Sequence, residues 1–150
     1  KRDEKARNDS IARRAALALA AIPQDHTVLD VSKAGPALAD CLKASRPDDV
    51  KIAAMKAIAS IGPKVRAACL DALILVFKEK NYSVDVREAA AIALGECANG
   101  QALTGDGFKT LKAGIAEEDD KISRACAFAI GKAQLTGEQA REVFEEHRID

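Results

Sequence analysis

The chain has 150 residues and carries 23 Lys+Arg against 23 Asp+Glu, so its formal net charge is zero. That balance sets aside the strongly basic signature of a dedicated nucleic-acid binder, and 48% hydrophobic residues exclude wholesale disorder. Aromatics make up only 3%, which disfavours a β-sandwich or barrel, while alanine fills 31 positions and is the best helix former.

The opening run, residues 1–9, is almost wholly polar and reads as an N-terminal extension or a frayed helix. The first amphipathic segment is Ile11–Ala20. A longer connection between Ile22 and Gly35 leads to a second, Pro36–Ser45, with Leu38, Cys41 and Leu42 on one face. Pro47 precedes Asp48 and Asp49, whose carboxylates favour the start of the third helix over Val50–Ala59. The fourth segment, Pro63–Lys80, aligns Val65, Cys69, Leu73, Val76 and Phe77. Ser83 can cap the fifth helix, Val86–Gly95, and Asn99-Gly100 marks a turn behind it. Thr104-Gly105-Asp106-Gly107 lacks both the Lys-Ser/Thr of a phosphate-binding loop and the spaced carboxylates of a calcium loop. It reads as the turn that starts the sixth helix, Gly107–Ala116, with Phe108, Leu111 and Ile115 inward. Asp119, within the acidic run Glu117–Asp120, can cap the seventh helix, Ile122–Gly131. After Gly137 the eighth, Glu138–His147, sets Ala140, Val143 and Phe144 against Glu138, Glu142, Glu145 and Glu146, as a terminal capping helix requires.

Alternate helices are copies of one another. Val86–Gly95 reads V-R-E-A-A-A-I-A-L-G, Val50–Ala59 reads V-K-I-A-A-M-K-A-I-A, Ile122–Gly131 reads I-S-R-A-C-A-F-A-I-G, and Ile11–Ala20 reads I-A-R-R-A-A-L-A-L-A. The first position is β-branched (Ile11, Val50, Val86, Ile122) and the fifth is small (Ala15, Ala54, Ala90, Cys126). The eighth is always Ala (Ala18, Ala57, Ala93, Ala129) and the ninth a large aliphatic (Leu19, Ile58, Leu94, Ile130). Positions i, i+4, i+7 and i+8 form one face of an α-helix, and alanine on that face lets helices approach closely. Eight helices in four antiparallel pairs follow, as units 10–46, 47–82, 83–117 and 118–147 of one domain spanning 10–147.

Helical pairs of this size, and the strings V-R-E-A-A-A-I-A-L-G and V-K-I-A-A-M-K-A-I-A, resemble HEAT repeats. The Gly95 and Gly131 endings resemble the bacterial HEAT-like subgroup named after phycobilisome lyases. The resemblance implies an all-α, right-handed α-α superhelix, or α-solenoid. Two positions depart from the family pattern. Lys51 and Arg87 match its basic residue after the β-branched position, whereas Ala12 and Ser123 do not. Ala6, Ser45, Asn81 and Glu117 stand where an Asp is common, which argues against an Asp-based polar ladder between units.

Little in the chain points to catalysis. His26 and His147 have no Ser or Cys partner suggested by spacing, and repeated His-Glu dipeptides of the HEAT-like iron hydroxylases are absent. Cys41, Cys69, Cys97 and Cys126 are widely spaced, without Cys-x-x-Cys, so they read as small buried hydrophobes rather than zinc ligands. No catalytic, metal or cofactor residue is assigned. Free thiols of this kind suit a reducing compartment, so the expected setting is cytoplasmic, and no apolar run reaches the ~18 residues of a membrane span.

In HEAT solenoids the second helices line the concave surface. Projection of those helices gives a candidate partner-binding surface of Lys64, Asp71, Leu75, Lys78, Lys109 and Lys112, mixed in charge with a basic lean. Such a surface suits a polar or acidic protein partner. The leading expectation is a monomeric, non-catalytic protein-binding scaffold without membrane contact. The alternatives are a phycobilin-lyase-like or regulatory subunit and, third, a nucleic-acid binder. The third draws on six basic groups within the first fourteen residues, which no aromatic stacking platform accompanies.

Overall fold

Helical boundaries follow local chemistry. The computed structural model describes residues 2–22, 30–103 and 105–146, and every regular element among them is helical. The α-helices are α1 (Arg2–Ala20), α2 (Gly35–Cys41), α3 (Asp48–Ile61), α4 (Arg66–Lys78), α5 (Val84–Cys97), α6 (Gly105–Ile115), α7 (Asp120–Lys132) and α8 (Gly137–Glu146). Residues 2–9 of the polar opening run form the first part of α1. Single 3-10 turns, Val31–Ala34 and Gly62–Val65, lead into α2 and α4. His26, Thr104 and His147 lie outside the described residues.

Side chains close several helix starts. Ser83 Oγ accepts from the Val86 amide at 3.4 Å. Asp119 Oδ1 accepts from the amides of Lys121 and Ile122 at 2.9 and 3.2 Å. At α8 a reciprocal box forms: the Gln139 amide donates to Thr136 Oγ1, and the Thr136 amide donates to Gln139 Oε1. Pro47 is extended at the start of α3, with Asp48 and Asp49 in the first turn. Gly62 ends α3 at φ 68°, where only glycine is unstrained.

The odd-numbered helices pack in series, α1 on α3, α3 on α5, and α5 on α7. The even-numbered α2, α4 and α6 also pack in series. The two sets meet mainly where an even helix packs on the odd helix that follows it: α2 on α3, α4 on α5, α6 on α7. The core lies at these junctions. Val50, Val86 and Ile122, with Ala57, Ala93 and Ala129, are at most 1% exposed. Ala54, Ala90 and Cys126 lie just as deep, as do Ile58 and Leu94. Small residues let the axes close in. A Cβ on Gly95 of α5 would stand 2.5 Å from the Ala129 Cα of α7.

Two expectations about facing are corrected. In α1, Ile11 is 57% exposed, and Ala15 and Ala18 are exposed as well. The buried residues are Asp9 and Ala16, with Ala12, Leu19 and Ala20 half-buried. The inward stripe thus starts at Ala12, one residue later than the repeat implies, a turn of about 100°. Alanines on both stripes make either rotation compatible with packing on α3, and Asp9 fixes the outcome by pairing with Arg46 at 3.0 Å. In α8, the periodicity sets Phe144 inward, yet it is 77% exposed, while Ala140 and Val143 are half-buried. A helix buries a flank only where a neighbour lies, and α8 is held largely by polar contacts: Lys112 to Glu142 at 2.8 Å, and Gln139 Nε2 to the Leu103 carbonyl at 3.0 Å.

Polar links join residues one repeat apart. Arg13 meets Asp49, Lys121 meets Asp85, Lys132 meets Glu96, and Arg66 donates to the Ala102 carbonyl, at 2.7–3.4 Å. None rests on an Asp in the position common to HEAT repeats. No described helix is long and apolar enough to cross a membrane.

Candidate interaction surface

Four of the six residues projected as a partner-binding surface, Lys64, Asp71, Leu75 and Lys78, lie on α4 or the turn before it; Lys109 and Lys112 lie on α6. α4 buries Cys69, Leu73, Ile74, Val76 and Phe77, leaves Arg66, Leu70 and Ala72 half-buried, and turns Asp71, Leu75 and Lys78 to solvent. Leu75 is 69% exposed, and Lys64, Asp71, Lys78 and Lys109 are exposed. Lys112 is not a free surface cation. Its side chain is 19% exposed and is engaged by Glu142.

The surface divides into two grooves of about 330 Å³ each. The first runs between α2 and α4, with Leu75 beside Ala39, Leu42, Ala72 and Tyr82. The second lies between α4 and α6. It brings Lys78 and Lys109 together, with Lys80 and Arg87 alongside, and Lys78 reaches Asp106 at 3.2 Å. Lys64 and Asp71 line neither groove.

The α4–α6 groove contains groups that sequence projection missed. Arg87 grips Glu117 with both terminal nitrogens, at 2.8 and 2.7 Å, while its Nε donates to the Phe77 carbonyl at 2.9 Å. Its guanidinium lies over the Phe77 ring, 4.9 Å from the centroid. Lys80 also pairs with Glu117. The Arg87 hydrogen bonds hold the Glu117 carboxyl below its usual range, against the opposing effect of burial. Thr110 is buried, and its Oγ1 has no hydrogen-bond partner among the described residues. The signal available in the sequence is opposite charge at near-repeat spacing, as between Lys80 and Glu117.

The cysteines do not converge. All four are free, and no three His, Cys, Asp or Glu among the described residues are arranged to hold a metal ion. Burial pushes the Cys69 thiol up to about 11 and those of Cys97 and Cys126 up to about 12. Such thiols stay protonated at neutral pH and are poor nucleophiles. Cys41 is only half-buried, and burial raises it as well.

No protein-family model matches the chain, and no curated protein matches it in sequence.

Proposed function

We propose that the protein is a non-catalytic, HEAT-like repeat scaffold that binds another protein through the surface of α4 and α6. In this reading, four antiparallel helix pairs stack as a right-handed superhelix and the even-numbered helices form its binding face. The observation that carries it is the serial packing of α1, α3, α5 and α7, with the same repeat positions buried in three successive units. Polar links between residues one repeat apart support the same stacking. A repeat stack of this kind devotes its inner faces to its neighbours and leaves an extended outer surface for recognition. Exposed Leu75 supplies an apolar anchor in one groove, and the exposed Lys78 and Lys109 of the neighbouring groove favour an acidic partner. The scaffold acts as a monomer in the cytoplasm.

The test uses Leu75→Asp combined with Lys109→Glu. Both side chains are exposed, so folding is retained and is verified by circular dichroism. Lys112 is spared because its reversal would break the contact to Glu142. A partner captured by the wild type is purified and titrated by calorimetry. The double variant is expected to bind at least about tenfold more weakly, the loss of ~1.4 kcal/mol. Equal affinity would reject this surface. A steep fall of DNA affinity with rising salt would instead point to phosphate neutralisation and nucleic acid.

A further inference from the structure

We infer that the groove between α4 and α6 is an oxyanion site that takes a phosphoryl monoester. The inference rests on the reading of this surface as a recognition face and specifies what one part of it recognises.

The first observation is charge. Lys78, Lys80, Arg87 and Lys109 line the groove against two carboxylates, Asp106 and Glu117. Those carboxylates are engaged: Asp106 by Lys78, and Glu117 by Arg87 and Lys80. Two positive charges remain in excess, which a dianion matches and a single carboxylate does not. The second observation is Thr110. It lines the groove, is 6% exposed, and its Oγ1 has no hydrogen-bond partner among the described residues. A hydroxyl kept inside without a partner is costly and uncommon. An oxyanion in this groove would accept its proton. Threonine has two accessible χ1 wells in a helix, so a covered hydroxyl can turn toward an entering oxygen. Lys109 and Lys78 would supply charge from the rim, and Thr110 would supply direction from the floor. Phosphoryl oxygens are strong acceptors and suit such a mixed set of donors.

The experiment follows amide signals by heteronuclear NMR while inorganic phosphate is added at constant ionic strength. Acetate serves as the monoanion control. A second arm compares a short Gly-Ser peptide bearing one phosphoserine with its unphosphorylated form. Saturable shifts centred on Lys78, Lys109 and Thr110 are expected with phosphate, and weaker ones with acetate. Thr110→Val should weaken phosphate binding about tenfold, the worth of one hydrogen bond to a charged group. It should leave Tm unchanged or raised, because it removes an unpaired buried hydroxyl at constant shape. Lys109→Ala should weaken binding as well. Tighter binding of the phosphopeptide assigns the site to a phosphorylated side chain, and equal binding to free phosphate; both support it. Shifts that never saturate, or wild-type phosphate affinity in Thr110→Val and Lys109→Ala, would overturn it. This assay contains no protein partner, so its failure leaves the Leu75 capture result standing, and the reverse also holds.

Discussion

Lys51, Arg87 and Ser123 each follow the buried β-branched residue of their unit, and each reaches a main-chain carbonyl at or beyond the end of the preceding even-numbered helix. Lys51 Nζ donates to the Arg46 carbonyl, Arg87 Nε to Phe77, and Ser123 Oγ to Ile115 at 2.7 Å. Phe77 and Ile115 lie in the last turn of a helix, where carbonyls lack intrahelical partners and a cation also complements the dipole. In the sequence Ser123 reads as a departure from the basic pattern, yet its hydroxyl makes the equivalent contact. Arg87 does most because it also holds Glu117. Arg87→Met should cost about 3 kcal/mol in urea unfolding, since it leaves the Phe77 carbonyl without this donor and a partly buried carboxylate held by Lys80 alone. The Glu117 carboxyl is depressed in the folded state, so its contribution is complete above its ordinary value of 4.5 and is lost as pH falls through the lower folded value. The stability gap between wild type and Glu117→Gln should therefore be full at pH 7 and shrink in acid below 4.5. A gap that widened in acid would contradict this pairing. The thiols give a separate check. With Ellman's reagent, Cys41 should react first, and Cys69, Cys97 and Cys126 only as the chain unfolds.

Among the helices, α5 and α8 are opposites. α5 packs against α3, α4, α7 and the Gly62–Val65 turn, and it buries Val86, Arg87, Ala90, Ala91, Ala93, Leu94, Gly95 and Cys97. α8 buries no described side chain fully and relies on its capping box and the Lys112 and Gln139 contacts. Hydrogen exchange should find the slowest amides in α5 and the fastest helical amides in α8, because opening α8 exposes little apolar surface. Thr136→Ala should speed α8 further, at about 1 kcal/mol for a lost cap, without changing α5. These contrasts also explain what the sequence could show. α5 and α7 were readable because cap, β-branched residue, alanine and aliphatic agree at every step. The rotation of α1 was not, because alanine at 12, 15, 16, 18 and 20 writes two overlapping stripes. Phe144 misled for a related reason: periodicity identifies an apolar side but not whether a neighbour covers it. The groove of Thr110 was beyond reach, since it depends on where α4 and α6 meet, and no local pattern encodes that.

For the molecule as a whole, the claim on which the proposed binding surface depends is that the odd-numbered helices stack one upon the next. Two glycines at the same repeat position separate that claim from helix propensity alone. Gly95 on α5 faces the Ala129 backbone, whereas nothing lies within 4 Å of a Cβ placed on Gly131 of α7. Both sit inside helices and would gain about 0.5–1 kcal/mol from alanine if nothing opposed it. Only at Gly95 must a neighbouring helix move, and overpacking of that kind costs about 1–3 kcal/mol. The decisive measurement is urea unfolding of Gly95→Ala and Gly131→Ala side by side. Stacking of α5 on α7 predicts a loss of stability for the first and a gain for the second; an equal gain in both would mean that α5 and α7 do not meet, and the account would be wrong.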